Sequence, residues 1–80
     1  MGIKQAIVQR FQNLCKEKHI KYNTLATNAG VTPSTVYSMM DPRRNDIGIL
    51  VVKKLCDGLD ITITEFFDDD LFRNLTQEIE

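Results

Sequence analysis

The spacing of apolar side chains predicts an all-α chain, with five helices in one compact unit and a further short helix at the C-terminus. Three observations carry this expectation. Apolar residues return at intervals of three and four along most of the chain. Residues suited to starting and ending helices separate these stretches. No alternating apolar–polar pattern lasts long enough to make a strand. With 80 residues, 42% of them hydrophobic and 26% charged, the chain can build one modest core and not two.

Residues 3–18 make the first helix, with Ile7, Val8, Phe11, Leu14 and Cys15 inward and Gln5, Gln9, Gln12, Lys16 and Glu17 mainly outward. His19 belongs on the surface where this helix ends. The second helix spans about 22–29 and turns Leu25, Ala26 and Ala29 inward. Asn23 is its better N-cap by chemistry, although Lys21 stands where the register places one. Gly30 tolerates positive φ and can end this helix, and Val31 tucks into the core at the bend. Thr32 offers a capping oxygen and Pro33 suits the first position of a third helix, about 33–40, whose inward residues are Val36, Met39 and Met40.

Asp41-Pro42 stops that helix. The polar loop Arg43-Arg44-Asn45-Asp46 leads to Gly48, which caps a fourth helix through Ile49, Val52, Leu55, Cys56 and Leu59. Asp57-Gly58 weakens its last turn and Asp60 ends it. Thr62-Ile63-Thr64-Glu65 is a capping box, so a short fifth helix starts there and lays Phe66 and Phe67 under the core. Asp68-Asp69-Asp70 gives a negative start to a last helix, with Leu71, Phe72, Leu75 and Ile79 as its apolar stripe. That stripe either closes over the core of the same chain or forms half of a dimer interface. The chain therefore divides into a domain at 1–67 and an acidic helical segment at 68–80.

The net charge of −1 hides a division. Residues 1–54 hold nine Lys or Arg against Glu17, Asp41 and Asp46, a net of +6, whereas residues 55–80 carry a net of −7. A basic body with an acidic end fits a nucleic-acid binder whose far end faces solvent or a partner, although solvated helix faces would give the same count. No apolar run exceeds the four residues Ile49 to Val52, so no membrane span is expected. Gln9 and Arg10 interrupt any secretory segment, and Ala6 replaces the Ser or Thr of a myristoylation signal, which places the chain in the cytoplasm. Cys15 and Cys56 lie in apolar helical patterns and read as buried thiols. Cys15 and His19 could share a helix face, but two ligands do not make a metal site, and no metal or cofactor is expected. One His, no Gly-rich phosphate loop and no partner for either Cys argue against an enzyme.

Ala26, Gly30, Val31 and Val36 stand where two short helices crossing at a sharp angle need a small residue, a turn and two core contacts. This is the pattern of a DNA-binding helix-turn-helix, whose second helix enters the major groove, and an ordinary helical hairpin uses some of the same residues. Two matched blocks narrow the choice. Leu25-Ala26, Ala29-Gly30-Val31-Thr32 and Ser34-Thr35-Val36 form one, and the run from Leu55 to Phe67 forms the other. With both in order across residues 3–67, the chain resembles the Cro/CI-type, or XRE-like, helix-turn-helix regulators of bacteria and phages. The resemblance implies a five-helix, lambda-repressor-like domain that binds operator DNA, usually as a homodimer. Lys21, Pro42 and Gly48 depart from the family pattern at helix boundaries, and the acidic last segment lies outside it.

On this reading Thr32, Pro33, Ser34, Tyr37 and Ser38 face the bases, where hydroxyls can meet donor or acceptor edges and Pro33 or a Thr methyl can touch a thymine methyl. Thr35 faces the backbone or the second helix. Arg43, Arg44 and Asn45 flank the recognition helix and can hold phosphates, as can the N–H groups at Tyr22, Asn23 and Thr24 and those near Gly48. The third helix has no Arg, Lys, Asn or Gln, so direct readout is expected to be modest, with DNA shape and water contributing. The alternatives on the same fold are a protein-interaction module that has lost DNA and an antitoxin-like protein whose C-terminal segment binds a second protein.

Overall fold

Leu25 and Ala26 on the second helix meet Val52, Leu55 and Cys56 on the fourth and Val36 on the third, and the other elements close around that contact. The computed structural model describes residues 1–79. Its helices are α1 (Ile3–Lys18), α2 (Tyr22–Ala29), α3 (Pro33–Met40), α4 (Ile49–Gly58) and α5 (Ile63–Phe67), followed by one 3-10 turn at Asp70–Phe72. Among the described residues there is no strand, and no helix is long and apolar enough to cross a membrane. α2 packs on both α3 and α4, α5 follows against α4, and the 3-10 turn lies on α1.

The helix boundaries follow local chemistry. α1 ends on His19, exposed and at φ 55°, and its neighbour Ile20 donates back to the Cys15 carbonyl at 3.0 Å. Thr62 and Glu65 form both halves of the capping box on α5, at 3.0 Å each. Burial places Phe11 and Phe66 at the bottom of the core, 4.4 Å apart between ring centroids, with Phe67 and Phe72 extending the cluster. Cys15 and Cys56 are both buried free thiols. Burial raises both, and Cys56, with Asp57 adding to the effect, reaches about 11.

Gly58 has a role beyond weakening the end of α4. A Cβ built there would stand 2.9 Å from the Ala29 nitrogen and 3.1 Å from its Cα, so the missing side chain lets the end of α4 touch the end of α2.

Arg10 closes the other side. Its Nε donates to the Phe66 carbonyl (2.8 Å), one terminal nitrogen to the Glu65 carbonyl (3.0 Å) and the other to Asp69 (3.2 Å). It thereby gives the Phe66 carbonyl a donor at the end of α5 and adds a second one to the Glu65 carbonyl, which also accepts from the Asp68 N–H at 3.3 Å. Its side chain is only 14% exposed, so this basic residue holds the fold together and is withdrawn from the surface.

The last segment differs from the expected helix over Leu71 to Ile79. Only Asp70–Phe72 turns, with Asp69 accepting from the Leu71 N–H at 2.9 Å. Beyond it Arg73 is held by Asp70 and Asp68, and Thr76 pairs with Met1 through both its N–H (3.0 Å) and its hydroxyl (3.1 Å). A segment this short is marginal as a helix, and Asn74 and Thr76 favour other partners for the backbone. Leu71, Phe72 and Leu75 are half-buried on the domain, whereas Ile79 is 77% exposed; Glu80 lies outside the described residues.

Candidate nucleic-acid interface

The turn between α2 and α3 is built from its backbone outward. Gly30 sits at φ 71°, and the following N–H, that of Val31, donates to the Ala26 carbonyl at 3.0 Å, closing a Schellman-type turn. Half-buried Val31 packs against the core beside it. Ala26 is fully buried, small enough for α2 to lie close to α3 and α4. Thr32 caps α3 through the Thr35 N–H, and Pro33 occupies the first turn.

With Val36 and Met39 buried, the opposite face of α3 presents Ser34, Tyr37 and Ser38 at positions i, i+3 and i+4. Thr32, Pro33, Ser34 and Tyr37 are exposed, and Ser38 and Thr35 are half-buried. The hydroxyls at the start of α3 already serve one another. Thr32 Oγ1 is 3.0 Å from Ser34 Oγ and 2.9 Å from Thr35 Oγ1. Tyr37 is 54% exposed, and its ring meets that of Tyr22 edge-on, with centroids 5.5 Å apart at 71°.

Two helices, α2 packed on α3 and α4 following it in the chain, start without a capping side chain. Lys21, not Asn23, is the N-cap of α2, and Gly48 is that of α4; both are extended and neither supplies a side-chain acceptor. The first N–H groups of each helix therefore point outward without a side-chain partner, among them those of half-buried Tyr22 and exposed Asn23 and Thr24.

Arg43, Arg44 and Asn45 are all exposed on the loop between α3 and α4. Their situations differ. Arg43 is engaged by Asp41, which accepts from its Nε (3.1 Å), its terminal nitrogen (2.9 Å) and its N–H (2.9 Å). These bonds, the guanidinium ones first, hold the Asp41 carboxyl down at about 2. No such acceptor holds the Arg44 side chain among the described residues. Lys4, at the start of α1, donates to the Asp41 carbonyl (2.9 Å) and the Arg44 carbonyl, fixing the loop that carries both arginines. Sequence reasoning missed this role for Lys4, since a Lys on α1 gives no local sign that it reaches a loop some forty residues on. The Asp41–Arg43 pair was legible in principle, because an acid two residues before an Arg in a turn can fold back on it.

The basic surface is smaller than the residue count implies. Arg10, Arg43 and Lys53 are each paired with an acid, the last with Asp57 on the same helix.

A model of the Cro/C1-type HTH DNA-binding domain matches residues 10–70. A crystal structure of the prophage Lp1 protein 11 superposes with a TM-score of 0.81 at 26% identity, covering 94% of this chain and 100% of that one. No curated protein matches the chain.

Proposed function

The chain belongs to the Cro/C1-type helix-turn-helix DNA-binding family, and from that premise we propose that it is a sequence-specific transcription regulator with α3 as the recognition helix. On this reading α3 enters the major groove. Pro33, Ser34, Tyr37 and Ser38 face base edges, with Thr32 at the groove's rim. The open N-termini of α2, at Tyr22, Asn23 and Thr24, and of α4, at Gly48, take backbone phosphates, as helix starts do. Arg44 and Asn45 add contacts from the loop. The observation that carries the reading is the exposed polar face of α3 with the start of α2, which lacks a side-chain cap, beside it at the Tyr22–Tyr37 contact.

The protein works by binding and catalyses nothing. It acts in the cytoplasm of a bacterium or within a phage programme. A single module of this size covers a half-site of about four to six base pairs, too little to single out one site in a genome, so it acts as a homodimer on a two-fold operator.

The two arginines divide the phosphate work unequally. Arg44 grips a phosphate directly, whereas Arg43 is held by Asp41 and joins only by exchanging that partner. Fluorescence anisotropy on mixed-sequence duplex across a salt series tests this. The parent should bind steeply less as salt rises, and Arg44→Ala should flatten the slope by about one unit. Arg43→Ala should flatten it less. Equal slopes for parent and Arg44→Ala would remove Arg44 from the contact set. No binding at low salt would turn the reading to a protein-interaction module or an antitoxin-like protein. Ile49 and Leu50, 67% and 63% exposed at the start of α4, and the acidic C-terminal segment are the surfaces such a partner would meet.

A further inference from the structure

α3 offers few free groups for reading a base. Thr32 is occupied as a cap, and its hydroxyl also contacts Ser34 and Thr35. Pro33 has no donor, and Ser38 is half-buried. Tyr37 remains: it is the longest polar side chain on the exposed face, and its phenol has no partner among the described residues. A phenol can donate to or accept from a base edge, and its ring can rest on a thymine methyl.

An exposed aromatic side chain is free to occupy several χ1 wells, which blurs any contact it makes. Tyr37 is not left free. Tyr22, at the first position of α2, is half-buried and packed against the core, whereas Tyr37 is no part of that core. The anchored ring stands edge-on to Tyr37 at 5.5 Å between centroids. A ring fixed in one helix can therefore hold the rotamer of a ring on the next.

Resting on the DNA-binding reading above, we infer that Tyr37 is the principal specificity determinant of α3 and that the Tyr22 ring is its positioning residue. The N–H of Tyr22 keeps its place at the start of α2; the ring has this second role. Preorganisation of this kind sharpens discrimination between base pairs more than it raises overall affinity.

The chain has two tyrosines and no tryptophan, so its intrinsic fluorescence comes from this pair alone. In Tyr22→Phe and Tyr22→Leu only Tyr37 emits above the phenylalanine background. Phe keeps the ring wall, and Leu keeps apolar packing without it. Time-resolved anisotropy of the free proteins should show Tyr37 depolarising faster in Tyr22→Leu than in Tyr22→Phe. In selection from random duplexes, Tyr22→Phe should return the parent's motif. Tyr22→Leu should lose roughly tenfold discrimination at one base pair, the same pair affected by Tyr37→Ala. The salt slope should stay at the parent's value in both Tyr22 variants. Equal depolarisation in the two variants overturns the positioning role. An unchanged motif in Tyr37→Ala overturns the specificity role, and uniform weakening on every duplex in Tyr22→Phe assigns the Tyr22 phenol to the backbone instead. A parent that binds no duplex at low salt overturns the functional reading itself, while the depolarisation comparison still decides whether one ring holds the other.

Discussion

A methyl group added at Gly58 would meet the Ala29 backbone at 2.9 Å, whereas one added at Gly30 meets nothing within 4 Å and instead sits at φ 71°. The two glycines are needed for different reasons, and substitution should separate them. Gly58→Ala gains about 1 kcal/mol of helix propensity but must push two helix ends apart, at about 1–3 kcal/mol, so it should lower stability. Gly30→Ala has only the left-handed backbone to contend with, at about 1–2 kcal/mol. Thermal unfolding measures both, and a raised midpoint for Gly58→Ala would contradict the close approach of α2 and α4. At Asp41 the carboxyl titrates at about 2 in the folded chain, below its ordinary 3.8. A depressed pKa means the pair contributes fully above the ordinary range and is lost as pH falls toward 2. In Arg43→Ala the midpoint followed at the carboxyl resonance should move part of the way back toward 3.8, since the N–H bond and the charge of Arg44 remain.

Helices were legible wherever a local signal fixed their ends. Thr32-Pro33, Gly30, Gly48 and the Thr62–Glu65 box act within one turn, and such signals survive in the sequence. The acidic segment misled because its opening is genuine: Asp69 does cap a turn. What stops that turn is Thr76 pairing with Met1 across the whole chain, a contact no local pattern contains. Arg10 is a similar case at the scale of elements, since its partners are the last carbonyls of α5. Arg10→Ala leaves the Phe66 carbonyl without its side-chain donor and Asp69 without its cation, and should cost about 2–3 kcal/mol in urea unfolding. The salt dependence of DNA binding should stay as in the parent, and a flattened slope would place Arg10 at the phosphates instead. The Glu65 carboxyl is held below its usual range by the Thr62 N–H it accepts from, so α5 should fray first as acid removes that bond.

Across the molecule, the charge division between residues 1–54 and 55–80 holds in sequence but not in space. Arg10 reaches over to Asp69, and Lys53 pairs within α4, so part of the basic body is neutralised from the acidic end or from its own helix. Counting residues therefore overstates the positive surface, and the face of α3 could be placed by sequence only because Val36 and Met39 mark its opposite side. The buried thiols were foreseen by the same apolar periodicity. With Cys56 fully buried, its alkylation at pH 8 should run far slower than in denaturant, reporting global opening. Alkylation at the denatured rate would mean that the core opens freely around α4.

The loop between α3 and α4 has one more consequence. It joins two adjacent arginines, both exposed and outside any helix, to a lysine tether on α1. Trypsin needs such a stretch to unfold locally into its cleft, so the first cut should fall at Arg43 or Arg44, and Lys4→Met should hasten it by freeing the loop. On the proposed interface the same bonds lie under the DNA, and a bound duplex should shield them. The chain thus carries its own footprinting site, and the pace of one cleavage would tell whether that loop is covered.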